Sequence, residues 1–345
     1  MPDRLEVLAL QGIPEIASGD DLASLLLASA GGFAEGDIVV VSSKVVSKAA
    51  GLTAPLSGRD DAIGAQTIRV VAERRTPRGL AQVVESLAGP VLAAAGVDAS
   101  NTSAATVLLL PADPDGAARV LRARLRSLGA PQVAVVITDT AGRAWRTGQT
   151  DFALGCAGLV VIDDLRGTPD ASGMVLEVTE RAIADEVAAA ADLVKGKASG
   201  VPAAIVRGLA AFVTEDDGPG AVALLRDPAS DWFRLGHVEA VRRSLGLAPG
   251  LVEAPSTQPE TLLHRAQRAA TVAGMIGSDG PESFAIQVGQ LGDKCMVIIT
   301  AGEDFLAGLV TSRFLSALWS EGLELTGSMD TDFDAHITTM FVTAR

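Results

Sequence analysis

Lysine is rare in this chain, and its placement points to the first segment with chemical potential. Only five lysines occur in 345 residues, and two of them lie in residues 42–48 (SSKVVSK), directly after an apolar run. Serine hydroxyls and ammonium groups are good partners for phosphate oxygens, because both donate hydrogen bonds and the ammonium adds charge. The segment therefore indicates a phosphate-binding loop, with an ordinary solvated loop as the alternative.

The second candidate segment follows the most strand-like run of the sequence, residues 132–137 (QVAVVI), and comprises residues 138–146 (TDTAGRAWR). Asp139 and Thr140 offer the carboxylate and hydroxyl oxygens that Mg²⁺ and Mn²⁺ prefer. Two arginines beside a tryptophan suit a multiply anionic substrate. A pair of surface arginines is the alternative for the latter.

Two turns complete the set of candidate segments. Residues 95–101 (AGVDASN) contain Asp98 and Asn101. Asp98 could ligate a hard cation and Asn101 could contact its ligand, although Asx residues in turns are commonly structural. Residues 12–16 (GIPEI) follow an apolar run, and Pro14 stiffens a turn whose neighbours can offer backbone N–H groups to a phosphate. An ordinary loop is the alternative here.

Familiar nucleotide and metal motifs are missing from the sequence. There is no GxxxxGK(S/T) loop, and no GxGxxG follows a strand and opens a helix. The three histidines are scattered, and no catalytic base is evident. Cys156 and Cys295 form no CxxC pair, so we expect two buried free thiols. A nucleotide site must therefore rest on the four segments above.

Composition restricts the class of protein. With 48% hydrophobic and 20% charged residues, the chain has the make-up of a globular protein with an ample core. Its net charge of −14 argues against a nucleic-acid partner. No signal-peptide pattern and no uncharged apolar run of about 20 residues occurs, so we expect no membrane partner and a cytoplasmic location.

The elements that must position these residues alternate along the chain, which favours an α/β to α+β fold. Strands are predicted at 5–10, 37–42, 106–110, 132–137, 157–162 and 203–206, and helices at 22–30, 68–73, 115–128 and 180–194.

A Pro-rich linker is predicted at residues 247–260, separating a domain at 1–246 from a smaller unit at 261–345. That unit has predicted helices at 262–276 and 304–321 and strands at 295–300 and 337–343. We expect the apolar side chains of the second helix to be buried: Phe305, Leu309, Phe314, Leu315, Leu318 and Trp319.

Taken in order, these segments resemble one enzyme family from about residue 8 to residue 245. The runs GIPEIASGDDLASLL, GDIVVVSSKVVSKAAG, AAGVDASN, VVITDTAGRAWRTGQTD and ADLVKGKASGVPAAIVRG resemble the coenzyme F420-0:L-glutamate ligases, which are CofE-type enzymes and also form the N-terminal domain of FbiB-type enzymes.

The resemblance implies a homodimeric ligase that uses GTP and Mg²⁺ or Mn²⁺ to add L-glutamate in γ-linkage to coenzyme F420-0, with K⁺ as a further candidate cation. The implied GTP-binding residues are Ile13, Pro14, Glu15, Ile16, Ser43, Lys48 and Asn101. The implied metal ligands are Asp98, Asp139 and Thr140.

Three features depart from the family pattern, and one of them is Gln66-Thr67, where a Glu usually precedes the Thr. Archaeal members carry a metal-binding Gln where this chain has Lys197, and a lysine cannot ligate a cation. Residues 261–345 resemble a shortened nitroreductase-like domain, in which we expect no FMN. The alternatives are a bifunctional enzyme whose second unit binds FMN and reduces dehydro-F420-0, and a non-catalytic binding protein of the same fold.

Overall fold

The computed structural model describes residues 4–77, 79–100, 102, 105–197, 199–248, 250–276 and 284–344. The helices are α1 (Leu22–Ala30), α2 (Ser43–Ala49), α3 (Arg59–Ala65), α4 (Pro114–Ser127), α5 (Ile183–Lys195), α6 (His237–Ser244), α7 (Leu262–Gly274) and α8 (Asp304–Ser320). The strands are β1 (Glu6–Ala9), β2 (Ile38–Ser42), β3 (Thr53–Pro55), β4 (Thr67–Thr76), β5 (Gly79–Ser86), β6 (Val91–Ala93), β7 (Thr106–Leu108), β8 (Ala134–Arg143), β9 (Arg146–Ala157), β10 (Asp163–Asp164), β11 (Glu180–Arg181), β12 (Ala203–Arg207), β13 (Phe284–Leu291), β14 (Lys294–Ala301), β15 (Leu323–Leu325), β16 (Asp330–Asp332) and β17 (Ile337–Ala344).

The chain packs as two units. Unit 1 comprises Met1–Gln66 and Ser86–Ser230, and unit 2 comprises Thr67–Glu85 and Asp231–Arg345. The sequence pattern instead predicted a first domain ending at 246 and a linker at 247–260. Within that stretch, Leu247 is buried in the core of unit 2 and Val252 packs against the same core.

Unit 1 is built on a five-stranded mixed sheet in the order β1-β12-β2-β8-β9. Only the central pair, β2 and β8, is parallel, with Ile38 opposite Ala134 and Ser42 opposite Thr138. The residues of β2 from Ile38 to Val41 are fully buried. Such a continuous apolar run is typical of a strand covered on both faces.

Helices cover both faces of this sheet. Leu26 of α1 and Leu125 of α4 pack with Val39 and Val135 on one face. Ile183 and Val187 of α5 belong to the core on the other face. The predicted α/β class is therefore confirmed for this unit, and the carboxyl ends of the parallel strands lie between the two helical layers, where α/β proteins commonly place their sites.

Unit 2 contains an antiparallel sheet in the order β13-β14-β17-β15, with β16 also pairing with β17. Val297 and Met340 of this sheet share a core with Ala269 of α7 and Phe314 of α8. A buried ion pair between Arg265 and Glu73 joins α7 to β4. This pair explains why residues 67–85 pack with the C-terminal part of the chain. The predicted likeness to a nitroreductase stays a prediction.

The predicted helix at 68–73 is wrong, because these residues lie in β4. The run contains Thr67, Ile68, Val70 and Val71, whose β-branching favours a strand. The predicted strand at 157–162 is also wrong, since β9 ends at Ala157.

The expectation that the apolar side chains of α8 are buried holds only in part. Phe314 and Leu318 are buried, but Phe305 is 76% exposed and Trp319 is 47% exposed. Cys156 and Cys295 are buried free thiols, as predicted. Among the described helices, none is long and apolar enough to cross a membrane.

Candidate active site

A cavity of about 650 Å³ in unit 1 brings several predicted segments together. The predicted residues that line it are Ile13, Pro14, Glu15, Ile16, Lys48, Asp139 and Thr140. Asp98 is not among the lining residues, but it forms an ion pair with Lys44, which lines the cavity. Asn101 lies outside the described residues.

Helix α2 delivers the first pair of cations. Ser42 ends β2 and caps α2, because its hydroxyl accepts a hydrogen bond from the Lys44 backbone N–H. Lys44 and Lys48 are four residues apart and therefore lie on one face of the helix, which lines the cavity. Lys48 forms an ion pair with Glu15 of the facing loop.

Ser43 has a different place from the one that the sequence suggested. It lies on the buried side of α2, 1% exposed, and its hydroxyl donates to Asp139 Oδ1 over 3.4 Å. Its described contact is thus with the Asp139 carboxylate. The predicted contact of Ser43 with GTP stays a prediction.

The loop before β7 fixes Asp98. The backbone of Asp98 pairs with Leu108 through two hydrogen bonds of 3.2 and 2.8 Å. Gly96, with φ of +73°, leaves room for Leu110, because a Cβ at this position would lie 2.3 Å from Leu110 Cδ1. Close packing therefore holds this loop against the rest of unit 1.

The Asp98 carboxylate is already well supplied with donors. It pairs with Lys44 and accepts a 2.7 Å bond from the Ser100 backbone N–H. Burial by itself would raise the pKa of Asp98, but the hydrogen bonds from Lys44 and Ser100 outweigh it and hold the pKa below its ordinary value. Asp98 is consequently ionised at neutral pH.

Strand β8 divides its polar residues between the two faces of the sheet, because successive side chains alternate. Asp139 lies on the α2 side, where it meets Ser43. Thr138 and Thr140 lie on the α5 side, where both hydroxyls donate to Asp151 of β9, over 2.9 and 2.5 Å. Asp139 and Thr140 therefore lie on two different walls of the cavity.

The Asp139 carboxylate, unlike those of Asp98 and Asp151, has no lysine ion pair among the described contacts. Burial raises its pKa, and the nearby charges of Asp151 and Asp98 act in the same direction, whereas the Thr140 backbone and Lys44 oppose them. A carboxylate held in this way gains from a cation, since positive charge would offset both the burial and the neighbouring carboxylates.

A buried ion pair that the sequence analysis missed forms the α5 wall. Lys195 Nζ lies 2.7 Å from both Asp151 Oδ2 and Thr138 Oγ1, and both charged side chains are about 5% exposed or less. Such a pair fixes geometry strongly, because either charge alone would be costly to bury. The lysine at the end of α5 was a signal that sequence reasoning could have used.

Beyond Lys195, the chain turns at Gly196 and presents Lys197. Gly196 has φ of 62° and ψ of 169°, a conformation that essentially only glycine adopts. Lys197 is exposed, and its ammonium donates to Thr140 Oγ1. The Thr140 hydroxyl thus has two partners, Lys197 as donor and Asp151 as acceptor.

Four of the five lysines line this one cavity: Lys44, Lys48, Lys195 and Lys197. No arginine occurs among its described lining residues. The predicted arginines Arg143 and Arg146 lie instead at the exposed tip of the β8–β9 hairpin, beside Trp145, which is 87% exposed. Glu15, Asp139, Asp151 and Asp192 line the same cavity, so its four lysine charges are matched by four carboxylates in a chain of net charge −14.

The residues present fit a nucleotide-bound divalent cation. In the described stretches, no three His, Cys, Asp or Glu side chains converge as a ready-made ligand set. Mg²⁺ commonly uses one or two carboxylates and takes its other ligands from water and substrate phosphates. Asp139 is partly buried and forms no ion pair among the described contacts, so it matches that use, with Lys44 and Asp98 in electrostatic range.

Comparison with known proteins decides the family. The sequence profile of F420-0:gamma-glutamyl ligases matches residues 12–208, more than half of the chain. The chain belongs to the F420-0:gamma-glutamyl ligase family. Every cavity-lining residue named above lies inside this matched range. As a member of this family, the chain is an enzyme of the ligase class.

Curated members of this ligase family match up to 67% of the chain. The coenzyme F420:L-glutamate ligase of Haloarcula marismortui is 38% identical over 251 residues, which cover 67% of this chain and 96% of the relative. The enzyme of the same name from Methanopyrus kandleri is 38% identical, covering 67% and 99%. That from Archaeoglobus fulgidus is 40% identical over 223 residues, covering 60% and 88%.

Proposed function

We propose that this enzyme adds L-glutamate in γ-linkage to coenzyme F420-0, using GTP and Mg²⁺ or Mn²⁺. The observation that carries the proposal is the cavity in which four lysines surround Asp139 and Asp151, within the stretch that matches the ligase family. Its relatives are named coenzyme F420:L-glutamate ligases, which supports the coarser part of the proposal. The acceptor, the nucleotide and glutamate are all anionic, and four of the five lysines of the chain line this cavity.

The proposed reaction has two steps. The acceptor carboxylate attacks the γ-phosphorus of GTP, so that an acyl phosphate forms and GDP leaves. The glutamate amine then attacks the acyl carbon, an amide bond forms, and phosphate departs while the amine loses a proton. Both steps bring anions together, so charge neutralisation and positioning supply most of the rate acceleration.

The residues divide these tasks. Lys48 and the 13–16 loop, with Ser43 and Asn101 as further predicted contacts, would hold GTP. Asp139 and Asp98, with Thr140 as the third predicted ligand, would hold a divalent cation, which neutralises phosphate charge when bound. K⁺ stays a candidate for a second cation. The buried pair of Lys195 and Asp151 keeps the end of β8 in place.

The decisive experiment is an assay of the whole protein with F420-0, L-glutamate, GTP and Mn²⁺, read by mass spectrometry. We expect the acceptor to gain the mass of one glutamyl residue and GDP to appear in equal amount. Asp139→Asn should lose most of this activity while melting at least as high as the wild type in metal-free buffer. Absence of the mass increment under all nucleotide and metal combinations would refute the proposal.

The role of unit 2 is tested separately. If residues 261–345 are a shortened domain without FMN, the purified protein should show no flavin absorbance and should release no flavin on denaturation. One FMN per chain would instead favour the bifunctional alternative, in which dehydro-F420-0 is also reduced. Sedimentation of the purified enzyme tests the proposed homodimer, and cell fractionation tests the proposed cytoplasmic location.

A further inference from the structure

The two walls of the cavity differ in how their polar groups are neutralised. On the α2 side, Lys44 pairs with Asp98, whereas the described contacts of Asp139 include no lysine. On the α5 side, Lys195 pairs with Asp151 and the exposed Lys197 contacts Thr140. Asp139 on the first wall can therefore accept an added cation, whereas Asp151 on the second wall is already paired with a lysine.

The Thr140 hydroxyl illustrates the difference. It donates its proton to Asp151 Oδ1 and accepts a hydrogen bond from the Lys197 ammonium. A divalent cation bound to the same oxygen would lie within a few ångströms of that ammonium, and the two positive charges would repel each other. Asp192 also lines the cavity, but no described contact joins it to Thr140.

We infer that the Lys197 ammonium occupies the cation position beside Thr140, so that the enzyme binds one divalent cation, on the Asp139 side, and binds anionic phosphate oxygen directly on Lys197. This inference rests on the proposed function and replaces the predicted role of Thr140 as a metal ligand. Thr140 becomes a positioning residue that aims Lys197 through its own bond to Asp151.

Lysine is well suited to this task. Its ammonium is a compact charge with three donors, so one donor can hold Thr140 while the others reach a phosphate. Gly196 ends α5 in an unusual backbone conformation directly before Lys197, and the neighbouring Lys195 is buried and paired with Asp151. Lys197 is therefore the cation of this wall that is free to meet solvent and substrate.

Two binding measurements on the full-length protein test the inference. The first counts bound Mn²⁺ by electron paramagnetic resonance in the presence of a non-hydrolysable GTP analogue. We expect one Mn²⁺ per chain in the wild type and loss of that ion in Asp139→Asn. The second measures inorganic triphosphate binding by calorimetry in EDTA. We expect Lys197→Gln to weaken it at least tenfold and Asp139→Asn to leave it within threefold.

A matched control is Lys294→Gln, which removes the fifth lysine, an exposed residue of unit 2, and should change neither measurement. Two Mn²⁺ ions per wild-type chain, or undiminished triphosphate binding in Lys197→Gln, would overturn the inference. Neither measurement requires glutamate or F420-0. These two measurements would therefore decide the role of Lys197 even if the ligation assay failed.

Discussion

At the scale of single residues, the site is defined by an incomplete pairing of charges. Asp98, Asp139 and Asp151 come close enough for their charges to interact, and only two of them have a lysine partner among the described contacts. The unmatched carboxylate is Asp139, whose pKa burial raises. The same feature that costs stability in the free protein creates affinity for a cation.

The first prediction concerns the pH dependence of Asp139. Its pKa in the folded protein is above the ordinary value of 3.8, so the native state holds this proton more tightly than the unfolded state does. The contribution of Asp139 to the stability of the metal-free protein should therefore fall as pH rises from 3.8 through the raised pKa. Thermal melts at several pH values should show this fall in the wild type and not in Asp139→Asn.

Metal affinity should follow the opposite course. A cation must displace the proton, so Mn²⁺ affinity should rise by about tenfold per pH unit below the Asp139 pKa and level off above it. Calorimetric titration of Mn²⁺ over the same pH series measures this. A pH-independent affinity would show that Asp139 is not a ligand.

The second residue-level prediction concerns the buried pair. Lys195→Met leaves the Asp151 carboxylate buried without its partner and should lower the free energy of unfolding by about 3–5 kcal/mol. Adding Asp151→Asn should recover part of the loss, because the uncompensated charge is removed as well. Denaturant melts of the two single variants and the double variant measure the coupling. Independent, additive losses would contradict the paired role.

At the scale of elements, the site depends on how three segments end. Strand β8 places alternate residues on two walls, α2 starts where β2 stops, and α5 stops just before Lys197. A break in the regular pairing of β8 with β9 falls between Ile137 and Thr138, where the polar residues begin. Such irregularities are common next to active sites, where they redirect side chains.

The element-level prediction tests the end of α5. Gly196→Ala should cost about 1–3 kcal/mol of stability, because alanine is strained at φ of 62° and ψ of 169°. Relief of that strain would redirect Lys197, so triphosphate affinity should fall as well. Gly31→Ala at the end of α1, where φ is 63° and ψ is 17°, is the control. It should lower the melting temperature without weakening triphosphate binding.

At the scale of the whole molecule, the chain divides its work between two units. The matched ligase stretch, residues 12–208, contains the cavity, whereas unit 2 is held by its own buried network. In that network, Arg268 pairs with both Glu260 and Glu321, and these ion pairs hold the pKa of Arg268 above its ordinary value despite its burial.

The prediction at this scale is that destabilising one unit leaves the other unit unaffected. Arg268→Met removes the cation that Glu260 and Glu321 share. The loss should destabilise unit 2 by about 3–5 kcal/mol. Hydrogen exchange should quicken in α7, α8 and β4, since all three belong to unit 2. A GTP analogue with Mn²⁺ should protect α2 and the end of β8 in unit 1. Equal effects of either perturbation on all elements would contradict this division.

The sequence by itself determined much of unit 1 and the enzyme family to which the chain belongs. Apolar runs and helical spacing predicted β2, β8, α4 and α5, because buried strands and amphipathic helices follow from local pattern alone. The predicted family was confirmed by the comparison with known ligases. The scarcity of lysine was enough to single out residues 42–48, whose Lys44 and Lys48 line the cavity.

Only the tertiary structure decided which side chains meet. Lys195 of α5 and Asp151 of β9 are 44 positions apart, and no local sequence pattern predicts that they form an ion pair. The assignment of β4 to a strand and of residues 67–85 to unit 2 depends on packing against distant segments. The contact of Lys197 with Thr140 spans 57 positions. Pairings of this kind depend on burial and charge compensation between elements, which a local pattern does not encode.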